Sequence, residues 1–187
     1  MRQLHRVLVA VGVAVGLAGC STLLVGSHLE RGLDFTRYRT FDWGPPDSLP
    51  IGDPRLDRDP FFIDHLQGAI EKQMAARGYA RVESGQPDLL IHYHASAQRR
   101  LNVNDVDHDR GYCQTDDCRA GISQNAGISE HEAGTLIVDI NDARTSQLVW
   151  RGWAQDSLEG VLGNRDRLAR TVQQGIDAMF VRLPAGR

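Results

Sequence analysis

Two stretches of this chain repeat an apolar residue every four positions: Phe62, Leu66, Ile70 and Met74, then Leu168, Val172, Ile176 and Phe180. That spacing puts each set on one stripe of an α-helix, and such a stripe is stable only when packed against something else. Ile63 and Ala69 widen the first stripe and Met179 the second. Asp59-Pro60 predicts the first helix start, with Asp as N-cap and Pro in the first helical position. Gly78 suits the left-handed residue that ends it. The second helix is expected from near Asn164, with Pro184 as its stop. The intervening chain alternates with a period of two, the mark of β-strands, at Tyr38–Trp43, Leu89–Ala95, Thr135–Ile140 and Leu148–Ala154. Trp43 and Trp150 read as core aromatics, and the last two strands as a hairpin. The order β-α-β-β-β-α predicts an α+β fold: a mainly antiparallel four-stranded sheet with two helices packed on one face.

With 187 residues the chain suits one domain of ordinary size. Its 21 basic and 24 acidic residues leave a net charge of −3, which gives no broad positive field and excludes nucleic acid as the main partner. The composition also excludes collagen, a coiled coil and a disordered chain. The amino terminus is set apart from the fold. Arg2 and Arg6 precede the apolar run Val7–Leu17, eleven residues that span about 16 Å as a helix against a hydrocarbon core of about 30 Å. Leu17-Ala18-Gly19-Cys20 follows and resembles the lipobox of bacterial lipoproteins, in which cleavage precedes a cysteine whose sulfur carries diacylglycerol. The expected organisation is a signal peptide over 1–19, lipidated Cys20 with a tether to 34, and one domain over 35–184. Ser21 after the cysteine favours the outer membrane by analogy. Removing Arg2 and Arg6 lowers 21 basic residues to 19 against 24 acidic ones, a net charge of −5. Attachment is therefore expected through covalent lipid and not through anionic headgroups.

The order of Tyr38-x-Thr40-Phe41-x-Trp43, Gly78-Tyr79, Pro87-Asp88-Leu89-Leu90-Ile91, Gly134–Asp139 and Leu148-Val149-Trp150-Arg151-Gly152 resembles the bacterial lipoproteins of the domain-of-unknown-function 4136 family. The resemblance covers about residues 30–184. It implies an envelope lipoprotein and brings no established catalytic or binding residues. The chain departs from the family pattern between Asn102 and Arg119.

Candidate chemistry is sparse. Cys113 and Cys118, in the oxidising compartment that the lipobox implies, read as a disulfide closing a short loop, worth about 2 kcal/mol. Zinc through His108 and the same cysteines would compete with that bond. Asp105, Asp107, Asp109 and Asp116 resemble a calcium loop in outline. Arg110 stands where that loop needs Gly, however, and Asp116 replaces the bidentate Glu. The polar stretch 99–132 is expected to extend the neighbouring strands in part or to form a functional excursion. His92 and His94 share one strand face, and Asp139, Arg151 and Trp153 are expected beside them, with Val149 and Ile137 adding apolar surface. This face is a candidate partner or ligand surface. No nucleophile elbow, phosphate loop, dinucleotide fingerprint or zinc-protease helix is present. The chain is therefore expected to be a non-enzymatic module without a cofactor or metal, contacting another envelope protein at the periplasmic face of the outer membrane. The alternative is a periplasmic ligand- or cation-binding module using the Asp105–Asp116 loop or the His92/His94 face.

Overall fold

The structure, a computed structural model, describes residues 23–45, 53–101 and 130–186. Six strands, β1 (Leu24–Leu29), β2 (Thr40–Trp43), β3 (Ala80–Arg81), β4 (Leu89–Leu101), β5 (Glu130–Asp142) and β6 (Leu148–Ser157), form one sheet. Their spatial order is β1-β6-β5-β4-β2-β3. The helices are α1 (Pro54–Asp57), α2 (Pro60–Ala76) and α3 (Arg165–Phe180), with a 3-10 turn at Phe35–Arg37.

The helix ends follow the local chemistry. The Asp59 carboxylate accepts the Phe61 N–H at 3.0 Å, and Asn164 accepts that of Arg167 at 3.0 Å. At the end of α2, Gly78 takes a φ of 86°, Tyr79 N–H donates to the Met74 carbonyl, and Gly78 N–H donates to that of Ala75. These paired bonds satisfy carbonyls that the helix end leaves open. Arg77 reaches across to the Phe180 carbonyl at 2.5 Å and so ties the end of α2 to the end of α3.

Both long helices bury their stripes on one face of the sheet. Leu66, Ile70, Met74, Ile176 and Phe180 join Phe41, Leu89, Ile91, Val138, Ile140 and Trp150 in a single core. Trp150 packs tilted against Phe180, with ring centroids 4.9 Å apart. Its ring lies over Gly152, where a β-carbon would come within 2.3 Å of the indole. Trp43 is only partly buried. It meets Tyr93 edge-on at 6.0 Å, and its indole N–H donates to Glu71.

The expected four-stranded, mainly antiparallel sheet is corrected to a six-stranded mixed one. β1 lies in the stretch read as a tether: its six residues LVGSHL carry little apolar signal, and it pairs antiparallel with β6 along the sheet edge. β3 has two exposed residues and no hydrophobic pattern to reveal it. β2 pairs parallel with both β3 and β4, because a strand that returns through a crossover helix comes back in the same direction. β4 and β5 are longer than the alternation indicates, running in continuous register from Leu89↔Asp142 to Leu101↔Glu130. Cys20, Cys113, Cys118, His108, Asp105, Asp107, Asp109 and Asp116 lie outside the described residues.

Candidate functional site

The face of the sheet turned away from the two long helices gathers the five residues singled out in the strands. Register fixes two rows across it. His92 on β4 stands opposite Asp139 on β5, which stands opposite Arg151 on β6 and then His28 on β1. In the next row His94, Ile137, Trp153 and Gly26 follow one another across the same strands.

The centre of the first row is an ion pair. Arg151 donates from Nε to Asp139 Oδ1 at 2.6 Å and from Nη2 to Oδ2 at 2.5 Å, a parallel two-bond fork. Asp139 is buried at 7% exposure, while the Arg151 side chain stays about half exposed. The bonds to Asp139 raise the Arg151 pKa above its ordinary value, against the lowering effect of burial. The guanidinium is therefore a fixed positive charge on this face, with its partner carboxylate beneath it.

Two rings flank that pair, each lying on a glycine. A β-carbon on Gly44 would come within 2.1 Å of the His92 imidazole, and one on Gly26 within 1.9 Å of the Trp153 indole. The absence of side chains at Gly26 and Gly44 lets both rings lie on neighbouring backbone, and Trp153 still leaves 40% of its surface open. His94 sits toward α1, near Asp57, whose pKa is raised by burial and by the nearby Asp53 against a smaller lowering influence of His94. Both histidines are half-buried and in contact with neighbours.

One expected member of this face is elsewhere. The ladder between β5 and β6 steps from Ile140↔Trp150 to Asn141↔Leu148 and skips Val149. Val149 is buried in the core at that irregularity. Such a slip of one residue reverses the face a side chain takes. Among the described residues, no group of three or more His, Cys, Asp or Glu side chains is arranged to hold a metal.

Two further features lay outside the sequence reading. The Asp142 carboxylate, 1% exposed, accepts from the Tyr38 hydroxyl at 2.9 Å, Arg37 at 2.7 Å, and the N–H groups of Arg144 and Thr145 at 2.9 and 3.0 Å. Burial alone would raise its pKa, but the Tyr38 hydroxyl and the two N–H groups outweigh that and hold it below the usual aspartate value. Its local signal is an Asp two and three residues before turn N–H groups, an Asx turn. An apolar crevice of about 60 Å³ opens between the sheet and α3, lined by Leu23, Phe62, Leu136, Leu158, Leu168 and Val172 among others. These lining residues are far apart in sequence, so no local pattern announces the crevice.

The model of a domain of unknown function, DUF4136, matches residues 25–185, most of the chain and all three described segments but for their margins. The chain belongs to the DUF4136 family. No curated protein matches this DUF4136 chain. Among solved structures it is similar to a PDZ domain protein from Parabacteroides distasonis, at 16% identity and a TM-score of 0.49 over 88% of this chain. The chain spans only 37% of that protein's length. It is also similar to the PelC dodecamer from Paraburkholderia phytofirmans, at 11% identity and a TM-score of 0.47, covering 88% of this chain and 99% of that one. A DUF4136 family protein from Bacteroides thetaiotaomicron follows at 14% identity and a TM-score of 0.43, covering 83% of this chain and 95% of its own. Among the described residues of the DUF4136 chain, no helix is long and apolar enough to cross a membrane.

Proposed function

We propose that this DUF4136 chain is a cell-envelope lipoprotein held by acyl chains on Cys20 at the periplasmic face of the outer membrane, where it acts as a non-enzymatic contact module. The observation that carries the address is Leu17-Ala18-Gly19-Cys20 directly behind a charged start and an eleven-residue apolar run. The membrane attachment needs more than one acyl chain, since a single one binds only marginally. β1 begins at Leu24, four residues after Cys20. Four extended residues reach about 14 Å, so the edge of the sheet would ride close to the lipid surface.

The contact role is supported by the outward sheet face. A half-exposed Trp153 beside the Arg151–Asp139 pair joins an apolar plate to a directional charge, the mixture found in contact surfaces. The partner is another envelope protein.

The address is tested by Cys20→Ala. The expected result is loss of lipid labelling and of membrane fractionation, and labelling that persists would refute the anchor. The contact face is tested by substituting His92, Asp139 and Trp153 together. In-cell crosslinking read by mass spectrometry should then lose its main partner, and an unchanged crosslink profile would remove this face from the proposal.

A further inference from the structure

The two edges of the sheet are built differently. One edge ends in β3, which is two residues long and carries Arg81, a short and charged edge that resists pairing. The other is β1, six residues long, with no Lys, Arg, Asp, Glu or Pro between Leu24 and Leu29. Natural sheets protect open edges with charge, proline or bulges, and β1 has none of them. Leu24, Val25 and Leu29 are 65%, 37% and 39% exposed along it.

The direction of its backbone groups follows from one bond. Glu30 N–H donates to the Val149 carbonyl of β6 at 3.1 Å, directly beyond the paired register Leu29↔Trp150. Groups alternate along a strand, so Leu24, Gly26 and His28 also turn their N–H and C=O toward β6. Val25, Ser27 and Leu29 turn theirs outward, to the edge where no strand lies beside β1 among the described residues.

We propose that β1 pairs antiparallel with β1 of a second copy of this chain, across a two-fold axis at Ser27, to make one continuous sheet. Pairing across an edge requires opposed residues that share a sheet face and both present backbone groups outward. One register satisfies this for all three residues: Ser27 opposite Ser27 of the second copy, and Val25 opposite Leu29 of the second copy. The same register sets the exposed Val25 and Leu29 side chains against each other on the helix-covered side. Gly26 then faces His28 of the second copy on the other side, and no like charges are opposed within the strand. The interface is self-complementary, as a two-fold contact must be.

The pairing is tested by cysteine scanning of the full-length chain in intact bacterial envelopes under a mild oxidant, against the unsubstituted chain as background. Ser27 residues on the axis would have α-carbons about 5.5 Å apart, within disulfide reach. S27C should therefore give a disulfide-linked dimer on a non-reducing gel. V25C alone should give none, because its two copies would lie about 14 Å apart along the strands. V25C expressed together with L29C should restore the dimer. S27P removes the outward N–H and leaves the bonds to β6 untouched. By sedimentation of the detergent-extracted chain it should associate at least tenfold more weakly, with unchanged far-ultraviolet circular dichroism. S27C without a dimer, V25C linking as readily as S27C, a link to a different protein in place of the dimer, or S27P associating as tightly as the unsubstituted chain would each overturn the pairing. Lipid labelling of the same samples reads the anchor separately: a soluble chain that still links through S27C loses the anchor and keeps the dimer.

Discussion

Two tryptophans three residues apart on β6 face opposite sides of the sheet, and their surroundings differ sharply. Trp150 is fully buried among Phe180, Ile140 and the other side chains of the helix-covered face. Trp153 is 40% exposed on the other face, beside a charged pair. Both rings rest on a glycine, Trp150 on Gly152 and Trp153 on Gly26. The same local device therefore serves two ends. On the covered side it completes a dense core, and on the open side it lays a flat apolar plate along the surface.

The largest test of this contrast is truncation. Trp150→Ala should destabilise the domain by about 3–5 kcal/mol, while Trp153→Ala should cost under about 1 kcal/mol, both read from urea denaturation midpoints. Equal losses would break the distinction between the two faces.

The glycines sharpen it. A β-carbon at Gly152 meets the Trp150 ring at 2.3 Å and the Met179 sulfur at 3.1 Å, inside a core with no room to yield. Gly152→Ala should cost about 2 kcal/mol by overpacking, visible as a lowered Tm.

The covered side also has a polar margin, where Asp142 is held by Tyr38 and by turn N–H groups. Its folded pKa lies below the usual aspartate value of about 3.9, so its contribution to stability is present above about pH 4. That contribution is lost as the pH falls through the lower folded value. Asp88, also lowered because the Arg39 and Thr40 groups outweigh its burial, adds in the same window. Asp142→Asn should cost about 1.5 kcal/mol at neutral pH and flatten the acid limb of the stability curve, measured by denaturation from pH 6 down to pH 2.

The smallest expected effect is at Gly26. A β-carbon there meets Trp153 at 1.9 Å, but this ring is half open to solvent and can swing away. Gly26→Ala should cost only about 0.5 kcal/mol and should shift Trp153 fluorescence toward the solvent-exposed wavelength. A loss as large as that at Gly152 would mean that the outward face is as rigid as the core.

The legible parts of this fold were those specified locally. Asp59, Gly78 and Asn164 mark helix ends through their own backbone chemistry, and the four-residue stripes mark the buried helix faces. The alternation of β4, β5 and β6 by itself puts His92, Asp139 and Arg151 on one face. What stayed hidden was decided at a distance. β1 is a strand because β6 offers it an edge, and β3 because β2 does. The parallel direction of β2 and β4 is a property of the crossover through α2. Val149 left the outward face through one skipped position in the ladder, which hydrophobic alternation does not encode.

The hairpin of β4 and β5 has a consequence for how this domain can change. Its last pairs, Arg99↔Glu132 to Leu101↔Glu130, lie beyond the end of β6, whose own pairing stops at Ala133↔Ser157. Among the described residues, the pairs Arg100↔His131 and Leu101↔Glu130 thus hold only each other, with no third strand beside them. A ladder opens first where it is narrowest, so amide exchange along β4 and β5 should run fastest at this end and slow toward Ile91↔Ile140, where strands flank the pair on both sides.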